Sequence, residues 1–131
     1  TAKEAADVLR RQGRKVGVVS PNVLRPFPAE AFQKALKRVK AATIGDRADS
    51  YGGDGGNLSI EVRAALQPDT ANRTLVLSRI YGLGGRDFYL TDAQRFFEEA
   101  LGMQPARREH RWDDEDAGRS LLDDLLERLR D

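Results

Sequence analysis

The chain has 131 residues, 40% of them hydrophobic, with 22 basic and 21 acidic side chains, 12 glycines, one histidine and no cysteine. That is enough for one domain with a single core; a net charge of +1 excludes a general nucleic-acid-binding surface, and no apolar run reaches the roughly 20 residues that span a bilayer. The absence of cysteine excludes disulfides, cysteine-ligated clusters and thiol catalysis within the chain; with no signal peptide in the charged segment Thr1 to Arg11, a cytoplasmic location is expected.

Thr1-Ala2-Lys3-Glu4 reads as a capping box, with Ala5, Val8 and Leu9 at helical spacing behind it and Gly13 as the stop. A helix at the first residue of an α/β unit implies a strand before it, so the first strand is expected to be missing from this stretch. The short apolar run Val16-Gly17-Val18-Val19 predicts a buried parallel strand, ended by Pro21. Leu24-Arg25-Pro26-Phe27-Pro28 is an irregular link, and Pro28 suits the first turn of the next helix. Phe32, Ala35, Leu36 and Val39 mark the apolar face of that helix, with Lys34, Lys37, Arg38 and Lys40 elsewhere on it.

Ala41 to Gly45 predicts a second strand, followed by Asp46-Arg47 and the run Tyr51-Gly52-Gly53-Asp54-Gly55-Gly56-Asn57. Leu58, Val62, Ala65 and Leu66 mark the next helix, and Thr74 to Ile80 is the clearest strand. A second glycine loop, Gly82-Leu83-Gly84-Gly85-Arg86-Asp87, precedes a helix whose capping box is Thr91 with Gln94 and whose apolar face is Phe96, Phe97, Ala100 and Leu101. Gly102 ends it. The order α-β-α-β-α-β-α predicts an α/β fold of three layers, α-β-α, around a mostly parallel sheet.

The pattern divides the chain into an α/β domain over residues 1–102, a charged linker over 103–118 and an amphipathic helix over 119–131. Residues 103–131 hold nine acidic side chains and six arginines, net −3, which leaves +4 on residues 1–102. Leu121, Leu122, Leu125, Leu126 and Leu129 share one helical face, suited to packing on the domain itself or on another subunit. His110 stands alone among polar neighbours; with no H-x-x-x-H or C-x-x-C spacing, no metal site is expected.

Four glycines in five positions make the first loop the main candidate site. A dinucleotide turn needs a third glycine where Leu58 stands, and no Walker sequence G-x-x-x-x-G-K-[ST] occurs. Gly53-Asp54-Gly55 begins like a thiamine diphosphate magnesium motif, but the window Ser78 to Phe88, where its asparagine would fall, has none. A structural or interface loop and a simple chain turn remain.

Five pieces occur in one order: Val16 to Val19, Leu24 to Pro28, Asp46-Arg47 with the glycine loop, Glu61-Val62-Arg63-Ala64-Ala65-Leu66, and Gly82 to Asp87. Together they resemble the second domain of the α subunit of 2-oxoacid:ferredoxin oxidoreductases, over about residues 1–101. The resemblance implies a fold like the C-terminal domain of transketolase. It also implies membership of an enzyme that converts a 2-oxoacid and CoA to acyl-CoA and CO2 on thiamine diphosphate with Mg. Electrons then pass through iron–sulfur clusters to ferredoxin or flavodoxin. It places the cofactors in other domains, so this chain is expected to bind none of them and to hold no catalytic residue. Its implied partners are the other domains and subunits of that enzyme. The rim candidates are Arg25, Arg47, Ser50, Tyr51, Gly52, Gly53, Gly55, Gly56, Gly82, Gly84, Gly85, Arg86 and Asp87. Arg86-Asp87 is read either as a contact to an anion or as a local ion pair. The reading from another class is a free-standing α/β module that binds a nucleotide or a protein without catalysis.

Overall fold

The computed structural model describes residues 1–103. In chain order these form α1 (Ala2–Arg11), α2 (Ala29–Leu36), β1 (Ala41–Asp46), α3 (Asn57–Leu66), β2 (Leu75–Ile80), a short 3-10 turn at Leu83–Gly85, and α4 (Leu90–Gly102). β1 and β2 pair in parallel, from Ala41 opposite Leu75 to Asp46 opposite Ile80. The residues expected to form the charged linker and the C-terminal leucine helix lie outside the described residues apart from Met103, as does His110.

Alternation along the strands builds the layers. Ile44 joins Phe32, Leu36, Val62 and Leu66 in the core, with Ala42, Val76, Leu58 and Phe27 packed against it. This face carries α2 and α3. The intervening residues face α4: the Thr43 hydroxyl donates to the Phe96 carbonyl at 2.8 Å, and Arg79 pairs with Glu99 at 2.7 Å. α1 packs on α4 through an apolar face holding buried Ala5, Ala6 and Leu9. The result is an α/β domain with helices on both faces of parallel strands, as the periodicity predicts. Each fully buried apolar side chain in such a core contributes about 1.5–3 kcal/mol.

Helix ends follow local chemistry. After α1, Gly13 takes φ +80°, its N–H donates to the Arg10 carbonyl and the Arg14 N–H reaches the Leu9 carbonyl. This is the double hydrogen bond of a Schellman stop, which a left-handed glycine makes possible. Two predicted capping boxes do not form. Thr1 makes no side-chain cap to α1. α4 starts at Leu90, earlier than Thr91 as cap requires, and its first turn is closed by Asp92, whose carboxylate accepts the Tyr89 N–H at 3.1 Å. A carboxylate at the third helical position is as good an acceptor as the Gln94 expected there.

The predicted strand Val16 to Val19 is also corrected. Residues 14–20 have no regular structure, and Val18 and Val19 are 36% and 54% exposed. A strand exists only as part of a ladder, and among the described residues β1 and β2 pair only with each other.

Candidate functional site

Both glycine loops leave the carboxyl ends of the parallel strands, where α/β folds place their sites. The first is organised by Asp46, the last residue of β1. Its carboxylate accepts the N–H groups of Leu58 at 2.9 Å and Ser59 at 3.1 Å, and the Ser59 hydroxyl at 2.8 Å. These are first-turn donors of α3 that have no partner inside the helix. A negative charge there also meets the positive end of the helix dipole. The anion position at the start of α3 is therefore filled by the chain's own carboxylate.

The close approach of strand end and helix start fixes the glycines. A Cβ on Gly56 would lie 2.1 Å from the Asp46 Cβ, so only glycine fits. Gly55 has φ +101°, and a Cβ there would stand 2.6 Å from the Ser78 Oγ of β2. Ser50 closes the loop: its N–H donates to the Gly55 carbonyl and its carbonyl accepts the Gly53 N–H, both at 2.9 Å. Asp54, the acid of the Gly-Asp-Gly run, turns outward to Arg63, 3.3 Å away. It does not point into a cation site. Tyr51, at 107% relative exposure, projects from the loop, and Gly52 has open space around it.

The second loop meets the first through Arg47. Its guanidinium carbon lies 5.6 Å from the centre of the Tyr81 ring, and a Cβ on Gly82 would stand 3.0 Å from that carbon. Gly82, at φ +70°, thus makes room for the arginine. On the α4 side Tyr81, Phe88 and Phe96 pack with ring centroids 4.8 to 6.5 Å apart. Gly45 lets two of these rings reach the strand, since a Cβ there would meet both Tyr81 and Phe96 at 3.2 Å. A groove of about 280 Å³ runs beside this cluster, edged by Leu83, Arg86, Asp87, Asp92 and Arg95.

Ten of the rim candidates thus fall into three sets. Arg47 meets Gly82, while Ser50, Gly53, Gly55 and Gly56 form one closed turn against Asp46 and Ser78. Tyr51, Gly52, Gly84 and Gly85 face open space, so the second loop is not tightly packed along its length. Arg25 lies elsewhere, paired with Glu61 of α3 at 2.6 Å. The local ion pair between Arg86 and Asp87 does not form: Arg86 reaches toward Asp92 at 3.8 Å, and Asp87 accepts the Tyr89 hydroxyl at 3.4 Å. Sequence reasoning missed Asp46 as the organising residue, together with Ser59, Ser78 and Tyr81. An acid at a strand's last position ahead of a glycine-led helix start was the available signal.

A parallel α/β unit with helices on both faces and glycine turns at its strand ends is of the kind found in transketolase-like C-terminal domains. Residues 1–93 match the family described as pyruvate:ferredoxin oxidoreductase core domain II, and the chain belongs to that family. It is similar to ketoisovalerate oxidoreductase subunit VorA of Pyrococcus horikoshii, 39% identical over 99 residues, which cover 76% of this chain and 25% of that protein. Pyruvate synthase subunit PorA of Thermotoga maritima is 37% identical over 112 residues, 86% of this chain and 28% of that one. The alpha subunit of NADH-dependent phenylglyoxylate dehydrogenase of Aromatoleum evansii is 33% identical over 102 residues, 78% of this chain and 24% of that one. The chain thus spans about a quarter of the length of these relatives. None of the helices among the described residues is long and apolar enough to cross a membrane.

Proposed function

We propose that this chain is a docking and scaffold domain of a 2-oxoacid:ferredoxin oxidoreductase α subunit. The whole enzyme would convert a 2-oxoacid and CoA to acyl-CoA and CO2 and reduce ferredoxin or flavodoxin, in the cytoplasm. Its thiamine diphosphate, Mg and iron–sulfur clusters would sit in other domains. The described residues do not fit those groups. The chain has no cysteine to ligate a cluster. Two first-turn donors of α3, the Leu58 and Ser59 N–H groups, are taken by Asp46, the Gly56 N–H faces the Ser78 hydroxyl, and Asp54 is turned away to Arg63.

The observation that carries this reading is the closure of the glycine loop upon Asp46, Ser50 and Ser78, within a chain whose family is that of core domain II. Such a turn offers a fixed backbone surface to a neighbour rather than an open cradle. The competing reading, a free-standing module that binds a nucleotide, would need the same α3 donors to be free. Calorimetry of the 131-residue chain with thiamine diphosphate and with CoA tests the assignment. No heat of binding is expected at millimolar ligand for thiamine diphosphate, and micromolar binding of it would overturn the reading.

A further inference from the structure

The first glycine loop holds a reactive backbone step. Asp54-Gly55 is the only Asp-Gly step in the sequence. In such a step the glycine nitrogen can reach the carboxyl carbon of the aspartate side chain, because no Cβ stands in its way. The Asp54 side chain is fully exposed and open to water. The Gly55 N–H donates no hydrogen bond among the described residues, so its nitrogen is not tied down. The glycine is also required by the fold, since a Cβ there would stand 2.6 Å from the Ser78 Oγ. Asp49-Ser50, in the same loop, gives the contrast. The Ser50 nitrogen that would attack Asp49 already donates its N–H to the Gly55 carbonyl at 2.9 Å. The restraint on Asp54 comes from Arg63 of α3, whose Nη1 donates to the Asp54 carbonyl at 2.9 Å and to its carboxylate at 3.3 Å.

We propose that Asp54-Gly55 is a site of spontaneous isoaspartate formation, restrained by Arg63, and that its conversion opens the turn built on Asp46. The Gly55 nitrogen bonds to the Asp54 Cγ, and its proton leaves with the carboxyl OH as water, closing a succinimide ring. Water then adds at the Asp54 main-chain carbonyl carbon, and the bond from that carbon to the nitrogen breaks. The nitrogen stays on Cγ and the main-chain carbonyl becomes a free carboxylate. The product has the mass of the parent, but its backbone runs through the side chain and is longer by a methylene. The turn has no slack for that. The bonds from the Gly53 N–H to the Ser50 carbonyl and from the Ser50 N–H to the Gly55 carbonyl bracket residue 54, and Gly56 sits hard against Asp46. The inference goes beyond the docking function and does not rest on it, because every step uses this chain and water alone.

The test ages the 131-residue chain at neutral pH and physiological temperature, then maps isoaspartate in the tryptic peptide 48–63 by electron-transfer mass spectrometry. That peptide holds both Asp49 and Asp54. Isoaspartate is expected at Asp54 and not at Asp49, with amide hydrogen exchange rising across residues 50–56 in the converted fraction. Asp54→Glu, which would have to close a larger and less favourable ring, should keep the exchange of the fresh chain through the same ageing. Arg63→Ala should speed conversion about 2- to 5-fold, the worth of an exposed ion pair. Arg63→Lys, which keeps a charge on α3 if truncation disturbs the helix, should convert at an intermediate rate. Absence of isoaspartate at Asp54, or more of it at Asp49, overturns the proposal. So does conversion that leaves exchange across residues 50–56 unchanged. Equal rates in the parent and both Arg63 variants overturn the restraint. None of these outcomes bears on the docking function, which is read from the assembled enzyme.

Discussion

Replacing Asp46 by alanine removes one carboxylate and strands three donors at the start of α3. Two are the backbone N–H groups of Leu58 and Ser59, and loss of such a helix cap costs typically about 1 kcal/mol. The third is the Ser59 hydroxyl, whose residue is 0% exposed and which would be left buried without its acceptor, at about 1–3 kcal/mol. Together they predict a loss of about 2–4 kcal/mol, a large share of the roughly 5–15 kcal/mol that holds a domain folded. For a domain of this size that lowers Tm by roughly 10–20 °C. Urea unfolding of the 131-residue chain followed by circular dichroism gives the free energy directly. Asp46→Asn, which keeps one acceptor oxygen, should lose less. In the Asp46→Ala background, Ser59→Ala should recover part of the loss, because the hydroxyl that needed a partner is gone. An Asp46→Ala chain within about 0.5 kcal/mol of the parent, the range of ordinary surface changes, would show that the carboxylate does not organise the loop.

Gly56→Ala should destabilise by about 1–3 kcal/mol, since its Cβ would collide with Asp46 at 2.1 Å, and urea unfolding would report it. Gly84→Ala meets open space and should cost only the strain of its left-handed φ of +62°, about 1–2 kcal/mol. Val62→Ala, at a core residue with 0% exposure, should cost about 2–3 kcal/mol and leave the loops unchanged in hydrogen exchange. Asp54→Ala should leave the unfolding midpoint in place, because its carboxylate is fully exposed beside Arg63.

Most of the architecture was legible in the spacing of apolar residues. Phe32 with Leu36, and Val62 with Leu66, fell on the core faces of helices, and the runs ending at Asp46 and Ile80 were strands. Val16 to Val19 has the same local pattern and is not a strand, because pairing depends on a neighbour that no local pattern specifies. At α4, Thr91 and Asp92 are both good first-turn residues, and it is Asp92, at the third helical position, that accepts the Tyr89 N–H. The glycine loop was visible as a site, but its organiser was not. Asp46 and Ser59 are thirteen residues apart, and only the parallel crossover brings them within 2.8 Å. Arg47 over Gly82 likewise joins the ends of two strands, a contact that register creates and composition does not announce.

If the strand-end loops are docking surfaces in a larger enzyme, as proposed, assembly must cover them. Hydrogen exchange compares the 131-residue chain alone with the same residues in the assembled oxidoreductase. Protection concentrated in residues 47–56 and 81–89 on assembly is the predicted result. Unchanged exchange in both loops, with protection appearing there only when thiamine diphosphate or CoA is added, would contradict it.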